Sequence, residues 1–170
     1  WGGVPRYWEL ARSFADREAA VEALILSPLG VLHDEPAALL LDDLGEITQP
    51  ASILTLIGQG CHRLSEIAAR LGKPATSLSR PLQRLVELEL VRRDIPFDAA
   101  PRDNKRSLYR IDDPFLRFWF RFVDSNRSRL EARRLASVTR EIRDTFSSHV
   151  AGVWEDLVRQ SVPRHRWFDR

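Results

Sequence analysis

The side chains best suited to chemistry lie on one short stretch, SLSRPLQRL, from Ser77 to Leu85. On a helix turning about 100° per residue, Leu78, Leu82 and Leu85 share one face, flanked by Val86 and Leu88. Thr76, Arg80, Gln83, Arg84 and Glu87 fall on the other. Arginine bonds guanine bidentately, glutamine does the same with adenine, and serine or threonine hydroxyls hold phosphate. Further along, PRDNKR offers Arg102, Lys105 and Arg106 for phosphate contacts. The candidate DNA-contacting set is therefore Thr76, Ser77, Ser79, Arg80, Gln83, Arg84, Arg102, Lys105 and Arg106, and double-stranded DNA is the expected partner. Two residues oppose this reading. Pro81 donates no backbone N–H and crowds the carbonyl of Ser77, which predicts a helix that starts near Ser77 or kinks in its first turn. Glu89 stands just past the helix end, where a left-handed glycine is usual, and with Glu87 it adds negative charge near the nucleic acid.

Other chemistries find no support in the spacing. There is no G-x-x-x-x-G-K-[ST] phosphate loop, no G-x-G-x-x-G, no H-E-x-x-H and no G-x-S-x-G. His33, His62, His149 and His165 are scattered, and Cys61 and His62 are adjacent, so they point differently on any regular element. Glu155 and Asp156 read as a solvated acidic face. No catalytic residue, resident metal or cofactor is expected in these 170 residues.

The elements that must position the candidate reader follow from periodicity and caps. In the first third, Pro5 suits a first helical position, and Tyr7, Leu10, Ala11 and Phe14 follow at helical spacing. Asp16 can cap a second helix carrying Ala20, Val21, Leu24 and Ile25, which SPLG (Ser27–Gly30) breaks. DEPAALLLDDL predicts a third helix. Next come a helix over 51–57, a second in RLSEIAARLG with Ser65 as N-cap and Gly72 as stop, and a third from about Ser77 to Leu88. LVRRDIPF and SLYRI read as two strands around a polar, basic tip. Three helices followed by a hairpin is the order of a winged helix-turn-helix. DPFLRFWFRFV then predicts a helix capped by Asp113 and Pro114. It is apolar nearly all round apart from Arg117 and Arg121, so it belongs in a core. The tail is helical and arginine-rich, ending on an apolar face of Val153, Leu157 and Val158 that takes in Trp154. The fold class expected is mainly α, with a small β-hairpin wing.

Charge is unevenly spread. Residues 1–50 hold 3 basic and 9 acidic side chains, 51–96 hold 7 and 4, and 97–140 hold 11 and 6. An acidic first third and a basic middle suggest different partners for the two. One cysteine excludes an internal disulfide, and with no run of about 20 apolar residues the expected setting is cytoplasmic, without membrane contact. The chain opens on Trp1 and contains no methionine, so it is expected to be a piece of a longer protein.

These segments, in order, resemble the C-terminal part of the archaeal-type ATPases of the AAA/STAND class. The matching stretches are GGVPRYWE, LHDEPAALLLDDL, ILTLIGQGCHRLSEIAARLGKPATSLSRPLQRLVELELV, NKRSLYRIDDPFLRFWFRFV and GVWEDLVR. The resemblance implies a helical ATPase lid over 1–48, a winged helix-turn-helix over 49–112, and over 113–170 the helical start of a nuclease-like C-terminal domain, the domain of unknown function 234. It implies that Gly3, Pro5 and Arg6 lie near nucleotide in the parent. ATP and magnesium would then be cofactors of an ATPase core that precedes Trp1. Glu155 matches an acid that can support metal binding in the intact nuclease-like domain. The family usually has tyrosine or a similar residue where Pro81 stands, and glycine where Glu89 stands. The expected function is a DNA-binding module with weak sequence preference. The alternative is a protein–protein module that packs on the ATPase core, a sister subunit or a partner.

Overall fold

A computed structural model of the chain describes residues 1–45, 48–95 and 106–161. It is mainly helical with one two-stranded antiparallel sheet, as expected.

Pro5 opens helix α1 (Pro5–Ala11) at the first position, where a missing N–H forfeits no helical bond. Tyr7 is buried there, its ring 4.8 Å from Phe115 and its hydroxyl donating to Glu35 at 3.0 Å. Asp16 caps α2 (Arg17–Val21) by accepting from the Ala19 N–H at 2.8 Å. The helix then widens into a π turn over Glu22–Leu26, in which the Ser27 N–H reaches the Glu22 carbonyl. Two nearby carbonyls are taken up locally: the Leu32 N–H donates to Leu24 and His33 Nδ1 donates to Ile25, at 2.9 and 2.8 Å. Gly30 makes this crossing possible, since a Cβ there would lie 2.5 Å from the Leu24 oxygen. Helix α3 (Glu35–Leu44) follows and stops at left-handed Gly45.

Helix α4 (Thr48–Gly58) starts before the expected residue 51, because Pro50 falls within the first turn, where N–H groups have no helical partner anyway. Gly58 lets α4 approach the next layer closely; a Cβ there would meet Phe120 Cβ at 2.9 Å. Helix α5 (Leu64–Leu71) is capped by Arg63, two residues before the expected Ser65. The Glu66 carboxylate accepts the Arg63 N–H at 3.2 Å and so holds the first turn. Gly72 ends it in the left-handed region, as expected.

Helix α6 spans Ala75–Glu87, and strands β1 (Val91–Asp94) and β2 (Leu108–Ile111) pair with Val91 opposite Ile111 and Asp94 opposite Leu108. The Tyr109 N–H donates to the His62 carbonyl at 2.8 Å, so the α4–α5 connection lies against β2. Asp113 caps α7 (Pro114–Phe122), accepting from the Leu116 N–H at 2.8 Å. Phe115, Leu116, Phe118, Trp119, Phe120 and Phe122 are all buried, which confirms this helix as core. The Trp119 indole donates to the His33 carbonyl at 2.7 Å, tying α7 to the π-turn region. A short helix α8 (Arg127–Glu131) leads to α9 (Leu135–Ser161). The apolar face expected on the last turns of α9 exists but is not covered: Val153 is half-buried, while Trp154, Leu157 and Val158 are exposed. No described element packs over them.

Candidate nucleic-acid interface

Helices α5 and α6 form the helix-turn-helix, with α6 second. Leu78, Leu82 and Leu85 are at most 1% exposed and seat α6 on α4, α5 and β1. Burial of each contributes about 1.5–3 kcal/mol. Together this exceeds the ~3 kcal/mol that an interior proline costs. The expectation that Pro81 forces a start near Ser77 is therefore corrected: α6 begins at Ala75, and Pro81 lies inside it. The ring removes one donor to the Ser77 carbonyl, on an exposed turn where water can replace it.

Glu89 adopts φ 58°, the left-handed conformation usually given to glycine. The Glu89 N–H donates to Val86 and the Leu90 N–H to Leu85, both at 3.0 Å, closing a Schellman turn. Buried Leu90 then packs with the core and directs the chain into β1. Glu89 carries left-handed strain of about 1–2 kcal/mol that glycine would escape.

Thr76, Ser77, Ser79, Arg80, Gln83 and Arg84 are all exposed, and they share the outward side of α6. Several are engaged within the helix itself. The Ser77 hydroxyl donates to the Pro74 carbonyl at 2.8 Å and the Ser79 hydroxyl to Ala75 at 3.3 Å. The Gln83 amide donates to Glu87 Oε1 at 3.1 Å, and Arg84 lies 3.5 Å from Glu87 Oε2. Glu87 thus holds two of the three side chains able to read bases. Arg80 forms no ion pair with any described residue. Arg106 is exposed at the edge of the hairpin, whereas Arg102 and Lys105 lie outside the described residues.

The hairpin carries a network that sequence spacing did not reveal. Arg92 on β1 contacts Asp94 at 3.0 Å, Asp112 at 3.3 Å and Asp156 on α9. Arg117 on α7 reaches the same Asp156 at 2.8 Å and also donates twice to the Ile111 carbonyl. Asp156 is buried, so the reading of Glu155 and Asp156 as one solvated face holds only for Glu155. Burial pushes the Asp156 carboxyl up, but hydrogen bonds from Arg92 and Arg117 outweigh it and hold the group below the ordinary value. The same acids keep Arg92 charged against its own burial.

Glu155 is exposed and pairs with Arg159 one turn on. Among the described residues no group of three or more His, Cys, Asp or Glu side chains could hold a metal ion. Gly3, Pro5 and Arg6 are exposed around the start of α1. No described helix is long and apolar enough to cross a membrane.

Comparison with known proteins agrees with this layout. An uncharacterized protein of Methanocaldococcus jannaschii is 30% identical over 115 residues, covering 68% of this chain and 26% of that protein. The chain thus spans about a quarter of the length of that relative. No solved structure matches. The IclR helix-turn-helix domain family matches residues 52–94, which run from α4 through α6 to the end of β1. The family described as archaeal and bacterial proteins of unknown function, DUF234, matches residues 119–168. Residues 52–94 are thus similar to an IclR-type helix-turn-helix, and residues 119–168 to the DUF234 family.

Proposed function

We propose that the winged helix binds double-stranded DNA mainly through the phosphate backbone, with weak sequence preference, as a module of a larger ATPase. The carrying observation is the outward side of α6, where Arg80, Gln83 and Arg84 stand exposed above three buried leucines on the second helix of the motif. Weak preference follows from Glu87, which engages Gln83 and Arg84, two of the three side chains able to contact bases. The IclR-type match over 52–94 supports the DNA reading. The ordered family motifs support the ATPase parent, in which Gly3, Pro5 and Arg6 would face nucleotide and Glu155 would serve a nuclease-like domain. In this reading neither ATP hydrolysis nor DNA cleavage belongs to these residues by themselves, and a phosphate-loop segment elsewhere in the gene would settle the parentage.

The test is fluorescence anisotropy with mixed-sequence duplexes at ~50 mM salt. Binding should weaken steeply with salt because phosphate contacts release counterions. Combined Arg80→Ala, Arg84→Ala and Lys105→Ala substitution should lower affinity for all duplexes alike. Absence of binding, or binding indifferent to these substitutions, removes the proposal. The engagement of Glu87 also suits a second reading, in which the basic surface meets an acidic protein surface. Light scattering with and without DNA separates the two, since only the second predicts an assembly that forms without duplex.

A further inference from the structure

A cleft of about 390 Å³ opens where α4, β2, α7 and α9 meet. Its walls carry Arg110 from β2, Arg117 and Arg121 from α7, and His62 and His149, with the turn Gly58–Gln59–Gly60 along one rim. No carboxylate lines it among the described residues, and no residue of α6 does. Arg110 and Arg117 are held in place by carboxylates that lie outside the cleft walls. Asp94 is shared between Arg92 and Arg110, at 3.0 and 3.2 Å, and Asp156 is shared between Arg92 and Arg117. With Asp112 also on Arg92, three carboxylates balance Arg92, Arg110 and Arg117, so the unbalanced positive charge at the cleft is that of Arg121. Arg121 has no carboxylate partner among the described residues. Among the described residues its guanidinium meets the Ser148 hydroxyl, at 3.3 Å, and lies over the Phe122 ring, 5.0 Å from the centroid.

Such a set is suited to a multiply charged oxyanion, because arginine forks match phosphate oxygens bidentately. The volume lies within the small-ligand range of roughly 300–1,000 Å³, and so leaves room for an organic group beyond a phosphate. Gly152 adds to that space, since a Cβ there would meet nothing closer than the Arg117 guanidinium at 3.9 Å. We propose that this cleft is a binding site for a phosphorylated small molecule, gripped by Arg117 and Arg121 with Arg110 behind them, at the seam between the winged helix and the segment similar to DUF234. The imidazole of His149 is pushed down to about 4, by burial first and then by Arg121 and Arg117, so it faces the cleft as a neutral group. The site is independent of DNA binding by α6, which contributes nothing to its walls.

Calorimetric titration of the chain with glycerol phosphate and with inorganic phosphate, at constant ionic strength set by chloride, tests this. Saturable binding is expected, stronger for the ester than for free phosphate. Arg121→Ala should weaken it tenfold or more, and Gly152→Glu, which places a carboxylate in the cleft, should abolish it. Arg80→Ala should leave it unchanged. Ser148→Ala, a mild surface change, keeps the test open if Gly152→Glu disturbs folding, and should weaken binding without altering the melting temperature. No saturable binding at millimolar ester overturns the proposal. So does binding that Arg121→Ala leaves intact, or that Arg80→Ala reduces equally. If Arg121→Ala instead weakens duplex binding while the ester does not bind, the cleft is a DNA-backbone contact and the proposal is wrong.

Discussion

Asp156→Ala should destabilise the chain more than any other single loss of a charged side chain described above. The carboxylate is buried and joins three elements: β1 through Arg92, α7 through Arg117, and its own helix α9. Removing one partner of a buried ion pair typically costs 3–5 kcal/mol, because the remaining charge stays desolvated. Here the guanidiniums keep other acceptors. Arg92 retains Asp94 and Asp112, and Arg117 retains the Ile111 carbonyl. The low end, about 3 kcal/mol, is therefore expected. For a chain of this size that corresponds to a fall of roughly 6–12 °C in melting temperature. Urea denaturation followed by circular dichroism gives the free energy directly. A second signature comes from linkage. The folded-state pKa of Asp156 lies below its ordinary value, so its contribution is complete above the unfolded value, 3.8, and disappears as pH falls through the lower folded one. Asp156→Ala should erase that part of the acid sensitivity. Amide exchange should also rise in β1 and in the last turns of α9. A loss below about 1 kcal/mol with unchanged exchange would place the pair among ordinary surface ion pairs, which contribute at most about that much, and would refute the reasoning.

Three other outcomes follow from the same geometry. His149, with its pKa lowered from 6.5 to about 4, stays neutral in the folded state while the unfolded chain takes up a proton. Stability should therefore be full above about pH 6.5 and fall by up to on the order of 3 kcal/mol as pH drops toward 4, and His149→Phe should flatten that slope in urea titrations at pH 4.5 and 7. Glu89→Gly should raise the urea midpoint by the equivalent of about 0.5–1 kcal/mol, the relief of left-handed strain less the greater unfolded-state freedom of glycine; an unchanged or lower midpoint would mean that Glu89 makes a compensating contact. Glu87→Gln should release Arg84 and strengthen duplex binding roughly two- to fivefold at low salt, the range of an exposed ion pair; weaker binding would put Glu87 itself in contact with the nucleic acid.

The winged-helix order was legible because its signals are local: leucines at helical spacing in α6, Gly72 after α5, Asp113 and Pro114 before α7. Glu89 was legible too, as the wrong residue at a helix end. The helix start was misjudged at α6 for an energetic reason. A rule about proline in isolation weighs one lost hydrogen bond, whereas the folded chain sets it against three buried leucines. The role of Asp156 was hidden by distance, since Arg92 stands 64 residues before it and nothing in the pattern GVWEDLVR separates the buried acid from exposed Glu155. The cleft was hidden for the same reason. Arg117 and Arg121 stood out as the polar edge of an apolar helix, but His62, Arg110 and His149 come from distant segments and meet them only in three dimensions. Self-engagement of the α6 face by Glu87 lay within one turn and was visible in principle, as an acid four residues after Gln83 and three after Arg84.

Helix α9 extends about 40 Å, at 1.5 Å for each of its 27 residues. It is pinned near its start by Thr139 to Glu22 and by Arg143 to Glu18, and near its end by Asp156 to the hairpin. The two anchors are rotationally phased along one rod. A single residue inserted between Arg143 and Asp156 would turn the second anchor by about 100° away from Arg92, whereas seven residues would nearly restore the angle but shift it about 10 Å along the axis. The wing and the first third of the chain are therefore kept in register by helical pitch, and that stretch of α9 tolerates substitution on its outer side far better than any change in length.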